Sequence, residues 1–104
     1  MKITLHHGSL RLLSEDSFAT NTIQLTLSEF LVLQELLSHQ GMHLTRAHLL
    51  KAGWPNLCVS GNSLNMVIMT LRKKLFKLGG GIEIKTIHRI GYSLNKTDEI
   101  CTLQ

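Results

Sequence analysis

Between Leu64 and Leu78 the apolar residues Leu64, Ile68, Leu71, Leu75 and Leu78 recur at steps of four and three. That spacing puts them along one side of an α-helix, and such a stripe is stable only when another surface covers it. The opposite face carries Asn65, Met66, Met69, Thr70, Lys73, Phe76 and Lys77, with Arg72 and Lys74 flanking the stripe. Asn62 or Ser63 can cap the helix, and Gly79-Gly80-Gly81 ends it. The rest of the 104 residues must supply the cover, and a chain of this length makes one domain.

Two shorter helices precede this one. Thr26-Leu27-Ser28-Glu29 reads as a capping box, in which side chain and backbone at each end satisfy one another. Leu27, Phe30, Leu33, Leu36 and Leu37 follow at helical spacing, and Gly41 stops the run. Thr45 opens a second helix through Ala47, Leu49 and Leu50, which ends near Gly53-Trp54-Pro55 because proline cannot continue it.

Strands flank the helices. Ile3 and Leu5 alternate with polar neighbours, His7-Gly8 turns, Leu10 and Leu12 alternate again, and Ile23 and Leu25 close the set after a polar connection from Ser14 to Asn21. Period-two alternation in short runs suits a half-buried antiparallel sheet. After the glycines, Ile82–Ile87 reads as a strand, His88-Arg89-Ile90-Gly91 as a turn and Tyr92-Ser93-Leu94 as the returning strand. Phe76 is expected to fold under this hairpin and join the core. The last residues read as a polar tail, 97–104, after a domain of 1–96.

Charge is unevenly placed. Residues 1–45 carry a net of −2, residues 46–96 carry nine basic residues against Glu83 alone for a net of +8, and residues 97–104 return to −2. Such asymmetry is the footprint of a polyanion binder. Two cysteines, Cys58 and Cys101, are too few for a disulfide framework and read as free thiols in loop and tail. His39, His43 and His48 lie near Cys58, yet Gly41 interrupts them and no metal-ligand spacing appears, so the sequence points to no metal and no cofactor. No nucleophile, base and orienting group can be nominated together, which excludes an enzyme from the reading. Neither a signal pattern nor a bilayer-length apolar run is present, so no membrane contact is expected within the chain.

Several short motifs occur in a familiar order: Leu25-Thr26-x-x-Glu29-Phe30-x-x-Leu33, Thr45-Arg46-x-x-Leu49, Trp54, Leu71-Arg72-Lys73-Lys74-Leu75 and Ile84-x-Thr86-Ile87-x-x-x-Gly91-Tyr92. Together they resemble the C-terminal effector domain of bacterial OmpR/PhoB-type response regulators. The resemblance runs from the first strands to Leu94. Met1 opens directly on the strands, and Val59-Ser60-x-Asn62-Ser63-Leu64 looks closer to the ToxR/CadC branch, whose members place this domain at the N-terminus. That implies a cytoplasmic regulator without phospho-control, either stand-alone or the cytoplasmic part of a membrane-anchored protein.

The fold implied is α+β: a winged helix-turn-helix with an N-terminal antiparallel sheet, three helices and a C-terminal β-hairpin wing. The function implied is binding of double-stranded DNA at promoter sites by a transcription regulator. Helix three, Asn62 to Lys77, would lie in the major groove, with Asn62 among its DNA-binding residues and Asn65, Met69 and Thr70 towards the bases. Arg46, Arg72, Lys73, Lys77 and Thr86 would contact the backbone. His88 and Arg89, at the wing tip, would reach the minor groove, where arginine is favoured by a narrow A·T-rich groove. Methionines against thymine methyls also favour A·T-rich sites. The resemblance implies a second copy on tandem half-sites, and RNA polymerase is a further candidate partner, as a protein that would cover the methionine face. A competing reading takes Met66 and Met69 as a protein-docking face on a winged helix whose DNA binding is weak or lost.

Overall fold

A computed structural model describes residues 2–15, 20–78, 81–96 and 99–103, with side chains given for residues 3–15, 20–78 and 81–96. Within these, strands β1 (Lys2–His6), β2 (Arg11–Glu15) and β3 (Thr20–Gln24) lead into helix α1 (Leu27–Ser38). A two-residue strand β4 (Leu44–Thr45) precedes α2 (Arg46–Gly53) and α3 (Gly61–Lys77). Strands β5 (Ile82–Ile87), β6 (Gly91–Lys96) and β7 (Glu99–Leu103) follow. No helix among the described residues is long and apolar enough to cross a membrane.

The capping box forms as read: the Glu29 N–H donates to Thr26 Oγ1 at 3.2 Å and the Thr26 N–H donates to Glu29 Oε1 at 2.8 Å. Thr45 caps α2 by accepting from the His48 N–H at 3.0 Å. Gly41 sits past the end of α1 at φ +81, a left-handed conformation that glycine adopts without penalty. Helix α3 begins two residues earlier than its polar cap candidates suggest. Ser60 takes the N-cap position, without a side-chain cap bond, and Asn62 and Ser63 lie inside the first turn. The stop assigned to Gly79-Gly80 lies outside the described residues.

One core binds all of this. Ile3, Leu5 and Leu12 from the first sheet, Phe30, Val32, Leu33 and Leu36 from α1, and Leu49 from α2 are buried together. The α3 stripe of Leu64, Ile68, Leu71, Leu75 and Leu78 is buried among them, as are Ile84, Tyr92 and Leu94 of the hairpin. Inside α1 the buried set includes Val32, whereas Leu27 is 58 % exposed. In the first hairpin Leu10 falls in the turn at φ 53, so the inward positions of β2 are Leu12 and Ser14. Part of the expected polar connection is strand, since β2 reaches Glu15 and β3 starts at Thr20; residues 16–19 lie outside the described set.

Two sheets result. In one the order is β3-β2-β1-β7, and in the other β4-β6-β5. The segment read as a polar tail departs from that reading, because Glu99–Leu103 pairs in parallel with β1 from Lys2↔Glu99 to His6↔Leu103. The first sheet is therefore mixed, with antiparallel pairs only among β1, β2 and β3. β1 would otherwise present an unpaired edge, and adding a strand satisfies those backbone groups. Cys101 is thus within a strand rather than a loose tail.

Candidate nucleic-acid interface

Helix α3 and the β5–β6 hairpin stand side by side, and the fold fixes their relation at three points. Gly91 is the first. An added Cβ there would lie 2.0 Å from the Leu44 carbonyl oxygen, so only glycine lets β6 pass β4 at this distance. Tyr92, the next residue, is 7 % exposed and receives the Arg46 Nη1 on its hydroxyl at 3.1 Å. The Arg46 and Arg72 guanidinium carbons lie 5.9 and 5.8 Å from the Tyr92 ring centre, within cation–π range.

These two arginines do more than present charge. Arg46 Nη2 donates to the Gly61 carbonyl at 2.8 Å, joining the start of α2 to the start of α3. Arg72 Nε and Nη2 both donate to the Ile84 carbonyl, at 3.1 and 2.9 Å, and Nη2 also reaches Thr86 Oγ1 at 2.9 Å. The planar fork of arginine suits such a divided contact. The sequence assigns Arg72 and Thr86 each to contact with the DNA backbone; the structure joins the two, so that one arginine links α3 to the hairpin.

Lys74 is likewise engaged. Its ammonium donates to Glu29 Oε1 at 2.5 Å and to the Gln24 carbonyl at 3.0 Å, and Glu29 is 5 % exposed. The carboxylate that closes the capping box thus also anchors α3 to α1. No buried side-chain nitrogen or oxygen among the described residues lacks a partner.

The remaining candidates lie outward. Asn62, Asn65, Met66, Met69, Lys73, Phe76 and Lys77 are exposed at steps of three and four along α3, directly opposite the core stripe. The stripe is graded: asparagine and methionine occupy its N-terminal half, lysine its C-terminal half. Thr70 is half-buried and spends its hydroxyl on the Met66 carbonyl at 2.9 Å, which makes it a poor reader of bases. The side chains of Lys73, Lys77, Lys85, His88 and Arg89 make no hydrogen bond or ion pair among the described residues. Arg89 has φ 63 at the tip of the hairpin turn, a conformation that costs energy in any residue with a Cβ.

Phe76 corrects an expectation. It is 81 % exposed and does not join the core. Leu75 and Leu78 take the inward positions, and the residue after Leu75 is turned by roughly 100° about the helix axis. Met66 and Met69 are 51 % and 43 % exposed, as the helical spacing requires.

The sequence missed a side-chain cluster on the other flank. Glu35 and His39 of α1 meet His48 of α2, whereas His43 and Cys58, grouped with these histidines by sequence proximity, take no part in it. The signal available was the spacing of Glu35 and His39, four apart on one helical face.

Known proteins match this arrangement. Residues 20–94 match the family model described as "Transcriptional regulatory protein, C terminal". Among curated protein sequences none matches. Solved structures do: the C-terminal domain of the nisin resistance regulator NsrR is 29 % identical with a TM-score of 0.73, over 88 % of this chain and 89 % of that one. The DNA-binding domain of E. coli CadC is 22 % identical with a TM-score of 0.71, over 84 % and 79 %. The Klebsiella pneumoniae RstA DNA-binding domain, solved in complex with the RstA box, is 27 % identical with a TM-score of 0.62, over 83 % of each chain. Three helices followed by a β-hairpin wing, a stripe of outward side chains on α3 and a family match over most of the length agree on one assignment. The chain belongs to the C-terminal domain family of transcriptional regulatory proteins, and is a winged-helix DNA-binding domain of the OmpR/PhoB type.

Proposed function

We propose that this domain binds double-stranded DNA in the cytoplasm with α3 in the major groove and the hairpin turn at the minor groove, preferring A·T-rich promoter sites. The observation that carries this is the graded outer stripe of α3. Recognition helices read base edges with their N-terminal residues, and here Asn62, Asn65 and Met69 occupy that half. Asparagine pairs with adenine through two hydrogen bonds, and a methionine packs on a thymine methyl. Lys73 and Lys77, further along, meet the phosphates, with Lys85 on β5 beside them. Arg46, Arg72 and Thr86 hold the groove-facing elements in register and turn their remaining donors to the backbone. Thr70 stands at the edge of this face with its hydroxyl bonded to its own helix.

At the hairpin tip, a strained arginine stands where glycine would be easier. Strain of that kind persists where a side chain is needed for function, and an arginine in a narrow minor groove gains from the local potential. His88 beside it adds attraction when protonated. Residues 1–96 form the DNA-reading unit in this reading; tandem half-sites bring a second copy, and the bound domain meets RNA polymerase.

The exposed Met66, Met69 and Phe76 favour a second reading, a docking face for protein. Met69→Lys separates the two in gel shifts against A·T-rich and G·C-rich duplexes. On the DNA reading, overall affinity holds or rises with the added charge while A·T preference falls about fivefold, one apolar base contact being worth about 1 kcal/mol. Weak binding to both duplexes before and after the substitution would favour the docking face.

A further inference from the structure

We propose that Glu35, His39 and His48 form a binding site for a divalent transition-metal ion of the zinc class, clipping α1 to α2. The three residues come from two helices whose backbones are already fixed. Glu35 and His39 lie four apart at the C-terminal end of α1, and the His39 N–H closes that end on the Glu35 carbonyl at 3.2 Å. His48 stands in the first turn of α2, where the Thr45 cap holds its backbone N–H. Neither helix need move for the side chains to meet.

The side chains converge on one carboxylate oxygen. His48 Nε2 is 2.7 Å from Glu35 Oε1, and His39 Nδ1 is 3.4 Å from the same atom. The two rings stand edge to face, 5.7 Å between centres. One ligand atom from each residue lies within 4.8 Å of the others. Around a tetrahedral ion with bonds of about 2.0–2.1 Å, ligand atoms sit about 3.3 Å apart, so small rotamer changes close the site. Binding through His39 Nδ1 gives up that atom's contact with the Glu35 carbonyl at 3.0 Å.

The donor set chooses the ion. Two imidazoles and one carboxylate suit zinc, cobalt, nickel or copper, whereas magnesium and calcium want oxygen throughout. An ion of charge +2 meets the carboxylate and a lone pair from each neutral ring, and so uses all three groups. The side chains are between 30 % and 41 % exposed, so an ion can enter and complete its coordination with water. A metal held here stiffens the α1–α2 pair from which α3 is positioned.

The test uses the 104-residue chain freed of metal with a chelator and then titrated with Zn²⁺ or Co²⁺. At a hundredfold excess over Kd, Tm rises by about 10 °C. Co²⁺ gives visible d–d absorption, which reports ligation independently of stability. His39→Ala and His48→Ala each abolish both signals, Glu35→Gln weakens them, and His43→Ala and Cys58→Ser leave them intact. No shift with either ion would overturn the proposal. So would a shift that survives the His39→Ala/His48→Ala double substitution, or one that disappears with His43→Ala or Cys58→Ser.

Discussion

Lys73 and Lys74 are neighbours on one helix, yet they belong to different regions of the molecule. Lys74 turns into the seam where α3 meets α1 and is bound to a nearly buried carboxylate. Lys73 lies on the outer stripe, and its side chain makes no hydrogen bond or ion pair among the described residues. The same division separates Arg46 and Arg72, which tie α2, α3 and the hairpin together, from Lys77, Lys85 and Arg89, which do not. The positive segment is therefore two populations. One spends donors on holding the reading head in shape and has only its remaining donors for a polyanion, and the other is wholly available to it. A count of basic residues overstates the charge that ligand can use.

Substitutions in the two regions should accordingly have opposite signatures. The largest loss of stability is expected from Lys74→Met, which leaves Glu29 buried without its cation. Breaking such a pair costs about 3 kcal/mol, read from urea unfolding. Adding Glu29→Gln should recover part of that loss, because the amide keeps an oxygen for the Thr26 N–H and carries no charge. Equal instability of single and double variants would show that the pair contributes packing rather than charge compensation.

Arg72→Ala stands between the regions. It loses its hold on Ile84 and Thr86 from an exposed position, at about 1–2 kcal/mol. Its affinity for DNA of every sequence should fall together, since a loosened wing and a lost phosphate contact both act without regard to bases. Arg72→Lys should not restore stability, because an ammonium cannot reproduce the divided contact of the fork. Full rescue by lysine would place Arg72 with the outer cations instead.

Much of this fold is legible in the sequence because its signals are local. The capping box at Thr26 and Glu29, the turn glycine Gly41 and the stripe from Leu64 to Leu78 each act within a few residues. The pinned cations are not legible. Lys74 meets Glu29, and Arg46 meets Tyr92, across separations over which no periodicity carries. Arg72 reads as a flank residue beside the stripe, and only the tertiary structure shows that its fork reaches the hairpin. Strands β4 and β7 escape for a related reason. β4 is only two residues long, and in both cases the partner strand rather than the segment's own pattern makes it a strand. Phe76 was misplaced because a large aromatic argues for burial by composition, while helix geometry argues against it.

The smallest effect on folding is expected on the outer stripe, and there the central claim is most exposed. Lys73→Ala/Lys77→Ala should leave unfolding free energy within about 0.5 kcal/mol of the parent. The decisive measurement is the salt dependence of duplex binding for the parent and this double variant, plotted as log affinity against log salt. A domain meeting about five phosphates gives a parent slope near −4 to −5, and removing two contacts makes it shallower by about 2. A parent slope indistinguishable from zero, or a slope that the double variant leaves unchanged, would contradict the claim that the unpinned cations of α3 are the ones that meet DNA.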